Sequence, residues 1–144
     1  RYHHIRVGVN SRLDTVQAAI LLQKLSIFDD EMQARQEVAE RYASVLNGAN
    51  VKALPHVEAH NVSAWAQYTV RVADRARTQA RLTAVGIPTA VHYPMPLNQQ
   101  PAVADPDARL PVGDLVATEV LSLPMSAYIQ PAEQDCVAAA LETV

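Results

Sequence analysis

A chain of 144 residues, 49% hydrophobic and 19% charged, holds enough apolar material for one packed domain or a large piece of one, which excludes disorder. A net charge of −3, 5% aromatics and no block of Lys or Arg argue against nucleic-acid binding. Apolar runs such as Ala18-Ala19-Ile20-Leu21-Leu22 are too short to span a bilayer, no signal peptide is visible, and the single cysteine rules out an internal disulfide and fits a reducing, cytoplasmic compartment.

Residues 1–12 read as loop or extended chain, with Gly8 and Asn10 suited to turns. Leu13, Val16, Ile20, Leu21 and Leu25 recur at three- and four-residue spacing and predict a helix from about Asp14 to Ile27. Ala19 and Leu22 spread its apolar surface almost all round, so more chain or a second subunit must cover it. A more polar helix is predicted over 29–47, with Asp29, Asp30 and Glu31 in its first turn and Met32, Val38, Tyr42 and Val45 as its apolar stripe. Glu31–Arg35 and Glu37–Arg41 should pair on its wet face, and Asn47-Gly48 should end it. Val51–Leu54 and Ala64–Val72 read as strands, the second with Tyr68, Val70 and Val72 on one face. Asp74 is expected to cap a helix over 75–85 that Gly86 closes. Ile87–Tyr93 reads as a strand stopped by Pro94, and the proline-rich 94–101 run as a loop. A helix from Val112 to about Leu121 should turn Leu115, Val116 and Val120 inward, and Leu121–Pro124 is a short extended piece. Pro131 opens a final helix whose inner face is Val137, Leu141 and Val144. Cys136 falls on that helix as a small apolar residue, with no basic neighbour to favour its thiolate. The order predicts an α/β chain of the α+β kind, with helices packed on a small sheet: a loop and two helices over 1–47, then an α+β remainder over 48–144.

There is no GxGxxG, P-loop, CxxC or GxSxG. No metal site is expected. His3 and His4 are adjacent and point apart, no second ligand cluster follows, and His56 and His60 read as solvated loop residues after Leu54-Pro55. Two segments carry possible chemistry. In Gly8-Val9-Asn10-Ser11-Arg12-Leu13-Asp14, Asn10 can donate to a phosphate oxygen and Arg12 can fork onto a carboxylate or phosphate just before a helix start. The same segment reads equally as a capping turn, with Asp14 as N-cap and Arg12 on the surface. In Val91-His92-Tyr93-Pro94-Met95-Pro96-Leu97, His92 and Tyr93 either offer rigid polar tips for hydroxyl or phosphate recognition or form a half-buried aromatic edge.

Residues 2–19, from Tyr2-His3-His4-Ile5-Arg6-Val7-Gly8-Val9-Asn10-Ser11-Arg12-Leu13-Asp14 to Ala19, are similar to the signature that opens the C-terminal part of the DegT/DnrJ/EryC1/StrS sugar aminotransferases. His92-Tyr93-Pro94-Met95-Pro96-Leu97 through Gln100-Pro101 resembles a downstream motif of that family, and Leu123-Pro124-Met125 with Tyr128 its last one. The resemblance implies the C-terminal part of a fold-type I enzyme dependent on pyridoxal 5′-phosphate (PLP), working as a homodimer with active sites shared between subunits. It implies that Asn10 touches the PLP phosphate of the other subunit, that Arg12 meets the substrate, and that His92 and Tyr93 line the sugar site. Within the family, the Asn-Ser-Arg segment is most like enzymes that aminate C3 of a UDP-linked 2-acetamido-3-keto uronic acid for surface polysaccharide such as O-antigen, with an amino acid such as glutamate as donor. Many relatives carry His where this chain has Asn98.

PLP chemistry needs a lysine for its covalent link and an acid facing the pyridinium nitrogen. The only lysines are Lys24 and Lys52, and neither has the serine-lysine context of the family. With Arg1 rather than Met at its start, the chain is expected to be a fragment that lacks the large cofactor domain and is inactive alone. Two alternatives remain at this level: a PLP-dependent sugar dehydratase of the same family, or a non-catalytic dimerising module.

Overall fold

The structure, a computed structural model, describes residues 3, 5–8 and 13–143. Its described elements are helices α1 (Thr15–Leu25) and α2 (Phe28–Val45), strand β1 (Tyr68–Arg71), helix α3 (Arg75–Ala84), a 3₁₀ turn at Leu97–Gln99, helix α4 (Pro111–Glu119), strand β2 (Val120–Leu123) and helix α5 (Pro131–Glu142). Local signals set most boundaries. The Asp14 carboxylate accepts from Gln17 N at 2.8 Å and starts α1, and Asp74 does the same for α3 through Arg77 N at 2.9 Å. Gly86, at φ +78°, closes α3, where a side chain would be strained. Pro131 occupies the first turn of α5, and Gln130 and Glu133 form a reciprocal capping box across it.

β1 and β2 pair antiparallel with Tyr68 opposite Leu123, Thr69 opposite Ser122 and Val70 opposite Leu121. Single bridges, Ala53 to Arg71 and Ala90 to Ser122, flank the pair on its two edges. Alternation sends Tyr68, Val70, Leu121 and Leu123 to one face, where α2, α3 and α5 cover them. Tyr42, Leu46, Leu82 and Leu141 are fully buried in the same core. Its few polar groups are partnered: Tyr42 Oη donates to Pro124 O at 2.9 Å and Gln134 Nε2 to Val38 O at 2.9 Å.

Several expectations are corrected. The strand predicted over 64–72 begins only at Tyr68, because Trp65 takes a left-handed turn (φ +44°) and its carbonyl accepts from Arg35 Nη1 at 2.9 Å. The 87–93 segment forms one bridge rather than a strand. Continuing its register would oppose Pro88 to Pro124, and neither has an N–H to give. In α4, Leu115 faces solvent; Ala117 and Glu119 are the buried residues. Glu119 sets that face, since its carboxylate is held by Lys52 and by Arg71, the latter at 2.6 Å. The surface pairs expected along α2 do not form. Arg35 turns to the Trp65 carbonyl before β1, and Arg41 Nη2 donates to both carboxylate oxygens of Asp135 in α5 at 2.8 and 2.9 Å, so both arginines tie α2 to distant segments rather than decorate one helix.

α1 differs from the rest. None of its residues is buried, and Val16, Ile20, Leu21, Leu22 and Leu25 are all more than half exposed. Among the described residues, the rest of the chain leaves this helix largely uncovered.

Candidate functional site

β2 and the Ala90 bridge deliver His92 and Tyr93 to the wall of a cavity of about 500 Å³. The Met95–Leu97 loop forms one side, and Val116, Ala117 and Val120 of α4 and β2 the other. The lining is mostly apolar with few polar tips, the usual make-up of a small-molecule site. The His92 and Tyr93 rings meet edge to face at 5.6 Å across a cis peptide bond. His92 Nδ1 lies 3.3 Å from Ser122 Oγ, and Ser122 Oγ lies 2.8 Å from Thr69 Oγ1. Half-buried His92 is thus held from behind, while Tyr93 stays 63% exposed. Ser122 and Thr69 were not singled out from sequence. The available signal was the lone hydroxyl within Val120-Leu121-Ser122-Leu123.

The other predicted pair, Asn10 and Arg12, lies outside the described residues. The capping half of that segment's reading is observed at Asp14. The last motif maps to a second cavity of about 560 Å³ lined by Met125, Tyr128, Glu133 and Cys136. There Tyr128 Oη donates to the Glu31 carboxylate at 2.5 Å, and Lys24 Nζ approaches the same carboxylate at 3.5 Å. The Tyr128 hydrogen bond is the main reason the Glu31 carboxyl lies below the usual carboxylate range. A third, apolar groove of about 630 Å³ runs along Leu13, Leu21, Leu22, Leu25 and Phe28. His56 and His60 are exposed, as expected. Among the described residues no group of three or more His, Cys, Asp or Glu could hold a metal ion, and no helix is long and apolar enough to cross a membrane.

The DegT/DnrJ/EryC1/StrS aminotransferase family model matches residues 1–142. The chain belongs to this family. Among its DegT/DnrJ/EryC1/StrS relatives, the UDP-2-acetamido-2-deoxy-3-oxo-D-glucuronate aminotransferase of Pseudomonas aeruginosa is 58% identical over 141 residues, 98% of this chain and 39% of the relative. The UDP-N-acetyl-3-dehydro-alpha-D-glucosamine 3-aminotransferase of Acidithiobacillus ferrooxidans is 36% identical over 125 residues, 86% of this chain and 34% of that one. A DegT/DnrJ/EryC1/StrS aminotransferase structure from Brucella abortus superposes with a TM-score of 0.81 at 41% identity, covering 99% of this chain and 39% of its own. DesV of S. venezuelae gives 0.85 at 34% identity, with the same coverage. The chain therefore spans about two-fifths of the length of the relatives it matches.

The DegT/DnrJ/EryC1/StrS family is PLP-dependent. This chain does not by itself fit the cofactor. Lys24 is drawn to Glu31 and Lys52 to the buried Glu119, and neither lines the His92 cavity.

Proposed function

We propose that this chain is the C-terminal part of a PLP-dependent aminotransferase that moves an amino group from an amino-acid donor such as glutamate to a UDP-linked 3-keto-2-acetamido uronic acid, in surface polysaccharide biosynthesis such as that of O-antigen. The observation that carries this reading is the 58% identity to the Pseudomonas aeruginosa relative over nearly the whole chain. In this reading His92 and Tyr93 line the sugar site, whose wall accepts the apolar parts of the substrate along Met95 and Val116. Arg12 supplies a planar fork for the uronate carboxylate, which a neutral sugar lacks, and Asn10 reaches the cofactor phosphate of the other subunit. The linking lysine comes from protein outside this chain, so the chain alone is inactive. A cytoplasmic location accords with a nucleotide-linked substrate.

The exposed α1 supports a homodimer, with residues 1–47 at its interface and 48–144 as the α+β remainder. Five large apolar side chains on an 11-residue helix are more than a monomer ordinarily leaves to water.

The test uses the intact enzyme with the UDP-linked keto-uronate and glutamate, following the amino-sugar product by mass spectrometry. Borohydride reduction with PLP should then label a lysine other than Lys24 and Lys52. Turnover with such a label supports the proposal. A label on Lys24 or Lys52, or dehydration of the sugar without amino transfer, overturns it.

A further inference from the structure

Ser122 sits where three segments of the sheet meet. Its backbone exchanges hydrogen bonds with Ala90, N to O at 2.8 Å and O from N at 3.1 Å, and its side chain stands directly opposite Thr69 on β1. Leu121 and Leu123 on either side point into the core, so the alternation of the strand sends Ser122 to the other face. It is nevertheless only 4% exposed. His92, two residues beyond Ala90, falls diagonally across the same face, and its Nδ1 comes to 3.3 Å from the Ser122 oxygen.

A buried hydroxyl has one proton to give and must place it. Thr69 Oγ1 and Ser122 Oγ are 2.8 Å apart, and either could donate. If Ser122 donates to Thr69, then Nδ1–H of His92 must donate to Ser122, and the Thr69 proton is left without an acceptor among the described residues. If Thr69 donates to Ser122, the Ser122 proton goes to a lone pair on His92 Nδ1, and both hydroxyl protons have acceptors within the protein. That second order requires the imidazole proton to be on Nε2, which has no protein partner among the described residues. His92 lines the cavity described above.

We propose that Ser122, backed by Thr69, is a positioning residue that fixes His92 as the Nε2–H tautomer, so that the ring offers a hydrogen-bond donor to an oxygen acceptor in the cavity. The tautomer rests on the hydroxyl order and on the cavity that the His92 ring lines; the identity of the acceptor, an oxygen of the nucleotide-linked sugar, rests on the function proposed above. Selectivity follows from the order of donors. A fixed donor at this point favours a carbonyl, ether, phosphate or carboxylate oxygen and opposes a group that can only donate, such as an ammonium.

The test uses the intact enzyme labelled with ¹⁵N-histidine in alkaline buffer, in which imidazoles are neutral. Long-range ¹H–¹⁵N correlations report which ring nitrogen carries the proton, and His92→Gln assigns the signal. The wild type should show an unprotonated, hydrogen-bonded Nδ1 at His92. Ser122→Ala should move that nitrogen toward the shift of a free imidazole, Thr69→Val should move it partway, and Ser122→Thr should restore it. Turnover with the keto-uronate should follow in step: KM for the sugar up about fivefold to tenfold in Ser122→Ala with little change in kcat, and near wild type in Ser122→Thr. A protonated Nδ1 in the wild type overturns the proposal, as does a Ser122→Ala spectrum with His92 unmoved. If the spectra behave as expected but the keto-uronate is not a substrate, the positioning role stands and only the proposed substrate falls.

Discussion

Glu119 accepts three hydrogen bonds, one from Lys52 and two from Arg71. Hydrogen bonds from Lys52 and then Arg71 hold its carboxyl below the usual carboxylate range, against the opposing effect of burial. A carboxyl depressed in the folded state contributes stability above its unfolded value and loses it as pH falls through the folded value. Glu119→Gln should therefore unfold at lower urea than the wild type at neutral pH, and the gap should narrow below about pH 4, measured as urea midpoints across a pH series. The tyrosines give the alkaline counterpart. Burial pushes the Tyr68 hydroxyl up to about 12, and the Tyr42 hydroxyl further still, chiefly for the same reason. A phenol raised in this way contributes stability in full below about 10 and loses it as pH rises through the folded value. Tyrosinate absorbance should then show two late-titrating tyrosines that ionise only as the fold opens, and Tyr42→Phe should cost about 1 kcal/mol through the lost bond to Pro124. Of the candidate site, His92 and Tyr93 were legible as a polar pair at the end of an extended segment, and they do stand in one cavity wall. Ser122 and Thr69 were not, because a hydroxyl in an apolar strand acquires a role only through what the neighbouring strand sets opposite it. Asn10 and Arg12 lie outside the described residues, and Arg12→Lys in the intact enzyme, which keeps charge but loses the fork, should raise KM for a uronate substrate about tenfold.

Helices were legible to within a few residues because their signals are local: Asp14 and Asp74 as caps, Gly86 as stop, Pro131 as start. Strands were not, because pairing sets their length. The left-handed turn at Trp65 shortens one, and the facing of Pro88 and Pro124 reduces another to a single bridge. α4 shows the same dependence. Its apolar residues pointed to Leu115 as inward, yet the ion pairs of Glu119 with Lys52 and with Arg71 of β1 set which side is covered. For α5 the sequence puts Val137, Leu141 and Val144 inward; the first two are buried, and Val144 lies outside the described residues. Leu141→Ala, which empties a fully buried site between α5 and the sheet, should lower stability by about 2–5 kcal/mol in denaturant unfolding.

At the scale of the whole molecule, the core between α2, α3, α5 and the sheet is closed, while α1 presents its leucines to solvent. Replacing Leu21 and Leu25 with Lys in the intact enzyme should convert dimer to monomer in light scattering and abolish turnover, with the circular dichroism largely kept; a fully active monomer would remove α1 from the shared interface. The sequence by itself determined the helices, their caps, the α+β order and the family, since each of these is written in local spacing or in motifs along one segment. Only the tertiary structure decided strand lengths, the inward face of α4, the crossing of Arg35 and Arg41 to other elements, and the hydroxyl chain behind His92. Those depend on groups tens of residues apart meeting within hydrogen-bond distance, and no local pattern records such a meeting.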